Sequence, residues 1–330
     1  MKKNKTQDLS YKERIKPIFK QRFLEMLSND ENEYEKFEET ILKPQKKSFR
    51  INTLKEENPE DLIKNIKNKG LKLEQIPWTP LGYFVEYDEN TRHDLGNLFE
   101  HFLGKIYVQE ATSMLPPITL EIPENIDNNF TVLDMCAAPG SKTTQLADIM
   151  NNRGKLIANE IDYKRLGPLK INLERSGFTN IIITQKNGTN IKGENLFDRI
   201  LLDAPCSGSG VIRKSPKTLD KYNPKKLKSL NNTQLELLNT ALRLLKSGGI
   251  MTYSTCSLDP EENEILVKKF LEKNNNAQIL PIEIEGVKKS NLIKNFQGEE
   301  IPKQVYENTL RVWPQDNDTN GFFIAKIKKL

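Results

Sequence analysis

The chain has 330 residues, of which 36% are hydrophobic and 29% charged, and it carries a net charge of +5. This length allows two compact domains, and the composition predicts a soluble globular protein. No run of 18 apolar residues occurs and the start of the chain leads into no apolar signal core, so we expect a cytoplasmic protein that does not enter membranes. Three cysteines without a C-x-x-C pattern, and only two histidines (His93 and His101), argue against disulfides, a metal site or a histidine-based triad.

The first hundred residues predict a small α+β module. Apolar residues recur at helical spacing between residues 11 and 42, and residues 59–69 form a second helical pattern. Short strands are expected at residues 48–52, 71–76 and 82–87. We place the end of this module near Gly104, which divides the chain into residues 1–104 and 105–330.

From residue 130 onward, short apolar runs alternate with helical patterns. This alternation predicts an α/β domain with a mainly parallel, doubly wound sheet whose ligands bind beyond the carboxyl ends of the strands. The expected strands are 131–134, 155–160, 181–184, 198–203 and 250–254, followed by a closing pair at 310–313 and 321–327. The expected helices are 143–150, 163–175, 225–246 and 260–273.

The first of these strands is followed by a tight turn, Asp-Met-Cys-Ala-Ala-Pro-Gly-Ser-Lys at residues 134–142. A phosphate-binding P-loop is excluded because Ser141 precedes Lys142, and a dinucleotide site is excluded because Gly140 is the only glycine. A nucleoside cofactor without pyrophosphate needs fewer glycines, but it needs an acid after the second strand to hold its ribose. Glu160 fits that role, as does Asp162, so the pattern favours S-adenosylmethionine.

Two more strands end in cysteine motifs, Asp-Ala-Pro-Cys at residues 203–206 and Ser-Thr-Cys-Ser at residues 254–257. Two thiols at strand ends beside a cofactor turn suggest covalent chemistry on an electrophilic ring. The alternative is that both are small buried core residues, which free cysteines often are. The residues themselves do not decide which thiol attacks, and we expect Cys136 in the cofactor turn to serve packing only.

A basic stretch follows the first cysteine motif. Residues 213–228 contain seven cations and one anion, Asp220, which favours contact with the phosphates of a nucleic acid. The alternative is a solvated helix face.

Taken in order, these three motifs resemble those of the Nop/Sun family of RNA cytosine-5 methyltransferases, in which the compact archaeal tRNA enzymes are most similar. Further matches are Arg-Ile-Asn-Thr at residues 50–53, Tyr-Val-Gln-Glu-Ala-Thr-Ser at 107–113, Arg-Val-Trp-Pro at 311–314 and Gly-Phe-Phe at 321–323. The resemblance covers the chain from about residue 48 to its end. It implies a class I, Rossmann-like methyltransferase fold with a mainly parallel seven-stranded sheet and a small N-terminal α+β RNA-binding module.

The resemblance also implies roles for individual residues. Cys256 would attack carbon 6 of cytosine, Cys206 would assist proton removal from carbon 5 and product release, and Asp203 would hold the ring edge. The residues expected to line the S-adenosylmethionine pocket are Cys136, Ala137, Ala138, Pro139, Gly140, Ser141, Lys142, Glu160, Arg165, Asn187 and Asp203. Asn187 departs from the family, which usually has Asp there. The residues expected to contact RNA are Arg50, Asn52, Gln109, Arg213 and Lys214, with Ser113 near the base and Tyr222 as an aromatic candidate.

The expected substrate is tRNA, because the chain is compact and shows no recognisable extra RNA-binding module, and ribosomal RNA is the alternative. A DNA cytosine methyltransferase would use the Pro-Cys cysteine, and an amino-methyltransferase would carry Asp/Asn-Pro-Pro-aromatic at residue 203. A non-catalytic RNA-binding protein on an inherited fold is the rival from a different class. We expect a monomer without metal.

Overall fold

The computed structural model describes residues 12–87 and 94–330, so the start of the chain and His93 lie outside the described residues. Within those ranges no helix has both the length and the apolar character needed to cross a bilayer. The strands are β1 (Lys47–Ile51), β2 (Leu71–Gln75), β3 (Gly82–Tyr87), β4 (Ile106–Val108), β5 (Thr131–Asp134), β6 (Lys155–Asn159), β7 (Ile181–Thr184), β8 (Phe197–Asp203), β9 (Leu245–Thr255), β10 (Ala277–Leu280), β11 (Asn295–Phe296), β12 (Glu299–Glu300), β13 (Leu310–Val312) and β14 (Phe322–Lys329). The helices are α1 (Pro17–Met26), α2 (Glu31–Leu42), α3 (Pro59–Lys67), α4 (Phe99–Phe102), α5 (Leu115–Thr119), α6 (Ser141–Ile149), α7 (Tyr163–Ser176), α8 (Lys217–Lys221), α9 (Leu227–Leu244), α10 (Glu264–Lys273), α11 (Lys303–Asn308) and α12 (Pro314–Asn317).

The large sheet confirms the predicted α/β architecture. Its strands lie in the order β10-β14-β9-β8-β5-β6-β7, with β13 paired to β14. Neighbours from β9 to β7 run parallel, whereas β14 is antiparallel to β9, β10 and β13. The edge strand β10 was not expected; its four residues pair only with β14, a strand more than forty residues later in the chain. Because β5, β8 and β9 are adjacent and parallel, the three motifs that follow them meet at one edge of the sheet.

The N-terminal residues divide between two cores. Strands β2, β3, β1 and β4 form a separate antiparallel sheet, on which α3 packs through Leu62, Ile63 and Ile66. By contrast, the apolar faces of α1 and α2 pack into the core of the large sheet, with Phe19, Phe23 and Phe37 fully buried there. Strand β4 lies beyond Gly104, so the small sheet extends past the predicted boundary, and the first forty residues pack with the catalytic sheet.

Candidate active site

A cleft of about 600 Å³ lies at the carboxyl ends of β5, β8 and β9. Residues from all three strand-end motifs line it. Tyr107 and Val108 of β4 and the residues that follow this strand complete the lining from the side of the small sheet. The lining includes Val108, Gln109, Glu110, Ser113, Ala138, Pro139, Ser141, Lys142, Arg165, Asp203, Lys214, Cys256 and Phe322. The predicted catalytic and cofactor motifs therefore share one cavity.

The two cysteines of the strand-end motifs are in contact. Residues Asp203 and Ser254 are register partners in β8 and β9, and this pairing brings the Sγ atoms of Cys206 and Cys256 to 3.2 Å. Cys256 faces the cleft, and Gly208, at a φ of +72°, lets the loop after Cys206 pass beside its sulfur. The contact with Cys256 and burial raise the pKa of the Cys206 thiol well above its ordinary value. Cys206 thus lies directly behind a sulfur that faces the cleft.

A buried polar network fixes the loops that carry these thiols. The Glu262 carboxylate accepts hydrogen bonds from the Ser207 amide and from Gln234 Nε2, both at 2.9 Å. The hydroxyls of Ser207 and Ser257 lie 3.0 Å apart, which links one cysteine loop to the other. Burial raises the pKa of Glu262. The sulfur positions are therefore set by partners that sequence reasoning missed, although the acidic run Pro-Glu-Glu-Asn-Glu at residues 260–264 was a visible signal.

Asp203 lies at the end of β8 and holds a charged partner. Lys142 Nζ donates to Asp203 Oδ2 at 2.8 Å and to Ser113 Oγ at 3.0 Å, while Ser254 Oγ donates to Asp203 Oδ1 at 2.8 Å. Burial lowers the pKa of Lys142, but the Asp203 carboxylate outweighs it and raises that pKa overall. An ion pair thus sits in the cleft beside the Cys256 thiol.

The cofactor turn has the expected shape. Gly140 adopts a φ of +105° immediately before α6, a conformation that side chains rarely allow, and a Cβ there would come within 3.1 Å of Leu169 Cδ1. Beyond β6, Glu160 accepts a hydrogen bond from the Ala138 amide at 3.3 Å and pairs with Arg165 at 3.3 Å. The glycine turn lets a ligand approach the backbone closely, and the Glu160 carboxylate at the end of the next strand can accept hydrogen bonds from ribose hydroxyls. This combination suits a nucleoside.

Five members of the predicted cofactor set lie outside the cleft lining: Cys136, Ala137, Gly140, Glu160 and Asn187. Asn187 is exposed after β7, and its Oδ1 accepts hydrogen bonds from the amide and hydroxyl of Thr189. It occupies the strand end next to Glu160, where an adenine-side contact is expected. Burial raises the pKa of the Cys136 thiol, and Cys136 packs against the main core, in line with the packing role predicted for it.

Arg50 and Asn52 do not face solvent. Arg50 is 2% exposed, and its guanidinium donates to Asp148 Oδ2 at 2.6 Å and to Thr144 Oγ1 at 3.1 Å on α6. Asn52 Nδ2 donates to the carbonyls of Gly104 and Ser176 at 2.9 and 2.8 Å. Both side chains have their partners inside the protein, where they tie the small sheet to the catalytic domain, so direct RNA contact at them is not supported.

The basic stretch separates into a buried arginine and exposed lysines. Arg213 is 7% exposed; its guanidinium donates to the carbonyls of Pro44 and Thr319 and pairs with Asp318 at 2.8 Å. Tyr222 is also buried, and its hydroxyl donates to Asp259 at 2.7 Å. Neither is therefore placed to meet RNA. The six lysines of the stretch are exposed: Lys214, Lys217, Lys221, Lys225, Lys226 and Lys228.

Other predicted residues lie at the cleft or in the core. Gln109 lines the cleft, but its amide is held by Gln145 Oε1 at 2.8 Å and by the Ser113 carbonyl. His101 also lines the cleft and lies 2.9 Å from Arg175 Nη1; burial and that guanidinium lower its pKa. Phe323 is buried in the main core, and Phe322, also buried, lies below Lys142. Within residues 12–87 and 94–330 no cluster of three or more His, Cys, Asp or Glu side chains is suited to a metal ion.

Comparison with known proteins shows the family to which this chain belongs. The profile described as 16S rRNA methyltransferase RsmB/F matches residues 120–328, and that of the N-terminal domain of 16S rRNA methyltransferase RsmF matches residues 16–111. The chain belongs to the RsmB/F methyltransferase family. This confirms the resemblance drawn from the motifs, and the fold is that of S-adenosylmethionine-dependent methyltransferases.

The relatives of this chain differ in length and in the RNA for which they are named. The ribosomal RNA small subunit methyltransferase F of Shewanella piezotolerans is 39% identical over 318 residues, which are 94% of this chain and 64% of that protein. The chain thus spans somewhat under two thirds of that relative. The tRNA (cytosine(49)-C(5))-methyltransferase of Pyrococcus abyssi is 40% identical, covering 97% of this chain and 99% of that one. A solved methyltransferase homolog from Pyrococcus horikoshii superimposes with a TM-score of 0.76 at 35% identity, over 90% of each chain.

Proposed function

We propose that this protein transfers a methyl group from S-adenosylmethionine to carbon 5 of a cytosine in RNA. The observation that carries the proposal is the contact between the two thiols, 3.2 Å apart, with Cys256 on the cleft and the Asp203–Lys142 pair beside it. Carbon 5 of cytosine is a poor nucleophile, so direct methylation needs prior activation of the ring. A thiol that adds to carbon 6 supplies that activation.

The residues divide the reaction between them. Cys256 Sγ, as the thiolate, forms a bond to carbon 6, which makes carbon 5 electron-rich, and Asp203 hydrogen-bonds the ring edge around nitrogen 3. When bound, S-adenosylmethionine supplies the electrophilic methyl group that carbon 5 accepts. Cys206 Sγ, after its own proton has passed to solvent, then takes the proton from carbon 5, the 5,6 double bond re-forms, and the electrons of the breaking sulfur–carbon bond return to Cys256.

The cofactor set fits this chemistry. Gly140 and the start of α6 leave room for close backbone approach, while Glu160 and Asn187 occupy successive strand ends where ribose and adenine contacts are needed. Cys136, Ala137, Ala138, Pro139, Ser141, Lys142, Arg165 and Asp203 complete the proposed pocket. The target cytosine must be unpaired or flipped to reach Cys256, because carbon 6 is inaccessible within a stacked helix.

We propose tRNA as the substrate, with ribosomal RNA as the alternative. The relative named for tRNA matches this chain over nearly its whole length, whereas the one named for ribosomal RNA is much longer. The exposed lysines after residue 213 supply phosphate contacts for either RNA. A division into two domains, a monomeric state and a cytoplasmic location stay predictions.

Labelled S-adenosylmethionine with total tRNA and with ribosomal RNA, followed by mapping of the modified cytosine, tests the substrate. The Cys206→Ala variant tests the chemistry: because the carbon 5 proton is no longer removed, we expect a covalent protein–RNA adduct that survives denaturing electrophoresis. Accumulation of the adduct in Cys256→Ala instead would reverse the two roles. Cofactor binding without methyl transfer to any RNA would support a non-catalytic RNA-binding protein.

A further inference from the structure

A second cavity, of about 310 Å³, adjoins the catalytic cleft. The two cavities share the wall residues Val108, Gln109, Glu110 and Lys214. The outer walls come from Pro44 and Gln45, between α2 and β1, and from Lys47 and Ser48 at the start of β1. A ligand that continues out of the cleft past Lys214 therefore enters this cavity, and its volume lies at the lower end of the range of ligand pockets, about 300–1,000 Å³.

Hydrogen bonds join the chain segments that form the walls of this cavity. Arg213 lies beneath the outer wall, and its guanidinium donates to the Pro44 carbonyl at 2.9 Å, just before Gln45. Ser48 Oγ donates to the Gln109 carbonyl at 2.6 Å, which joins the outer wall to the shared one. The Glu110 carboxylate is held by the Ser113 amide at 3.0 Å and the Asn320 amide at 3.3 Å. The buried Arg213 side chain therefore holds the outer wall of this cavity in place.

Three polar side chains of the cavity, those of Lys47, Lys214 and Gln45, have no partner among the described residues. Lys47 and Lys214 are exposed and make no ion pair or hydrogen bond through their side chains within the described ranges 12–87 and 94–330, whereas neighbouring Lys46 pairs with Asp318 at 3.2 Å. The half-buried amide of Gln45 likewise has no partner among those residues. Two free cations on a pocket rim attract phosphate, and a free amide offers both a donor and an acceptor to the edge of a base.

We infer that this cavity binds the nucleotide directly attached to the target cytosine, with Lys214 on the phosphate that joins the two nucleotides and Gln45 on the edge of the neighbouring base. The inference rests on the proposed function and deepens it. It makes the protein sensitive to one nucleotide next to the modified position. Lys47, at the outer wall, is placed for the following phosphate.

The test uses RNA oligonucleotides that contain the mapped cytosine and carry an abasic residue at either its 5′ or its 3′ neighbour. For the wild-type protein we expect an abasic residue on one side to slow single-turnover methylation about ten-fold, and on the other side less than about two-fold. For Gln45→Ala, intact RNA and both abasic RNAs should be methylated at nearly the same reduced rate, because the contact to the base is already lost. Lys214→Ala should weaken binding of all these RNAs alike and reduce the salt dependence by about one phosphate contact.

Lys273→Ala is the matched control, because Lys273 is an exposed lysine at the end of α10 that lines neither cavity. It should behave as the wild type, and thermal unfolding should show all variants folded. If Gln45→Ala keeps the wild-type response to the abasic residues, the inference is overturned while the proposed function stands. If the wild-type protein methylates no RNA, the proposed function fails and the inference fails with it.

Discussion

Two buried polar networks hold the segments that carry the motifs, and they differ in which side chains they leave facing the cleft. The cysteine loops, residues 203–210 and 254–262, are tied through Ser207, Ser257 and Glu262, yet they present Cys256 and Asp203 to the cleft. The seam, formed by Arg50, Asn52, Thr144, Asp148 and Ser176, closes entirely on protein atoms. The first network therefore leaves reactive side chains facing the cleft, whereas the second uses its polar groups to join the small sheet to the catalytic domain.

The largest effect is expected for Cys256→Ala in the cysteine loops. Loss of the attacking sulfur removes the covalent route, so methylation should fall more than about a thousand-fold. The measurement is transfer of labelled methyl to RNA, with the thermal unfolding midpoint as a control for folding. Residual activity within about ten-fold of wild type would contradict covalent catalysis by Cys256.

Arg50→Met probes the seam and should act on stability instead. Removing one partner of a buried ion pair leaves the Asp148 carboxylate uncompensated, so unfolding in urea should become easier by about 3–5 kcal/mol. The double variant Arg50→Met with Asp148→Asn should recover part of that loss, since no unpaired charge remains. Unchanged stability together with weaker, less salt-dependent RNA binding would place Arg50 on the RNA-binding face and remove the distinction between the two networks.

Glu262→Gln separates positioning from chemistry within the cysteine loops. The substitution keeps the size of the side chain but weakens its grip on Ser207, so kcat should fall about ten-fold while KM for RNA stays within about two-fold. If Glu262 had a purely structural role, the substitution would lower the stability of the protein without a selective fall in kcat relative to KM. Steady-state kinetics at saturating cofactor, compared with the unfolding midpoint, distinguishes the two.

Asp134, at the end of β5, gives an effect on stability that depends on pH. Burial raises its pKa to about 7 from an ordinary value of 3.8. The folded protein therefore holds a proton that the unfolded chain has lost, so wild-type stability declines as the pH rises towards 7 and levels off above it. The stability difference between Asp134→Asn and wild type should grow by about 1.4 kcal/mol per pH unit between pH 5 and 7. Urea unfolding across this range measures it, and a constant difference would disprove the raised pKa.

Local patterning predicted much of the catalytic domain. Strands β5 and β7 and the start of α7 fall where the apolar runs place them. Burial explains the run in β5, because buried parallel strands need short continuous apolar segments, whereas β7 is a partly exposed edge strand. The same reasoning missed β10, whose residues acquire their strand partner only when the chain returns as β14. It also grouped α1 and α2 with the small module, since helical spacing shows which face is apolar but not which core it enters.

The sequence by itself determined the family, the order of the elements and the three strand-end motifs, because each depends on residues that are close along the chain. Only the tertiary structure decided which polar residues are free. Arg50 and Arg213 look like RNA contacts in sequence, yet partners about a hundred or more residues away bury and pair them. Lys214 stays open to the cleft because no such partner reaches its side chain among the described residues, and Cys256 faces the cleft although Cys206 Sγ contacts its sulfur from behind. Exposure and pairing depend on what the rest of the chain brings near, which local sequence does not specify.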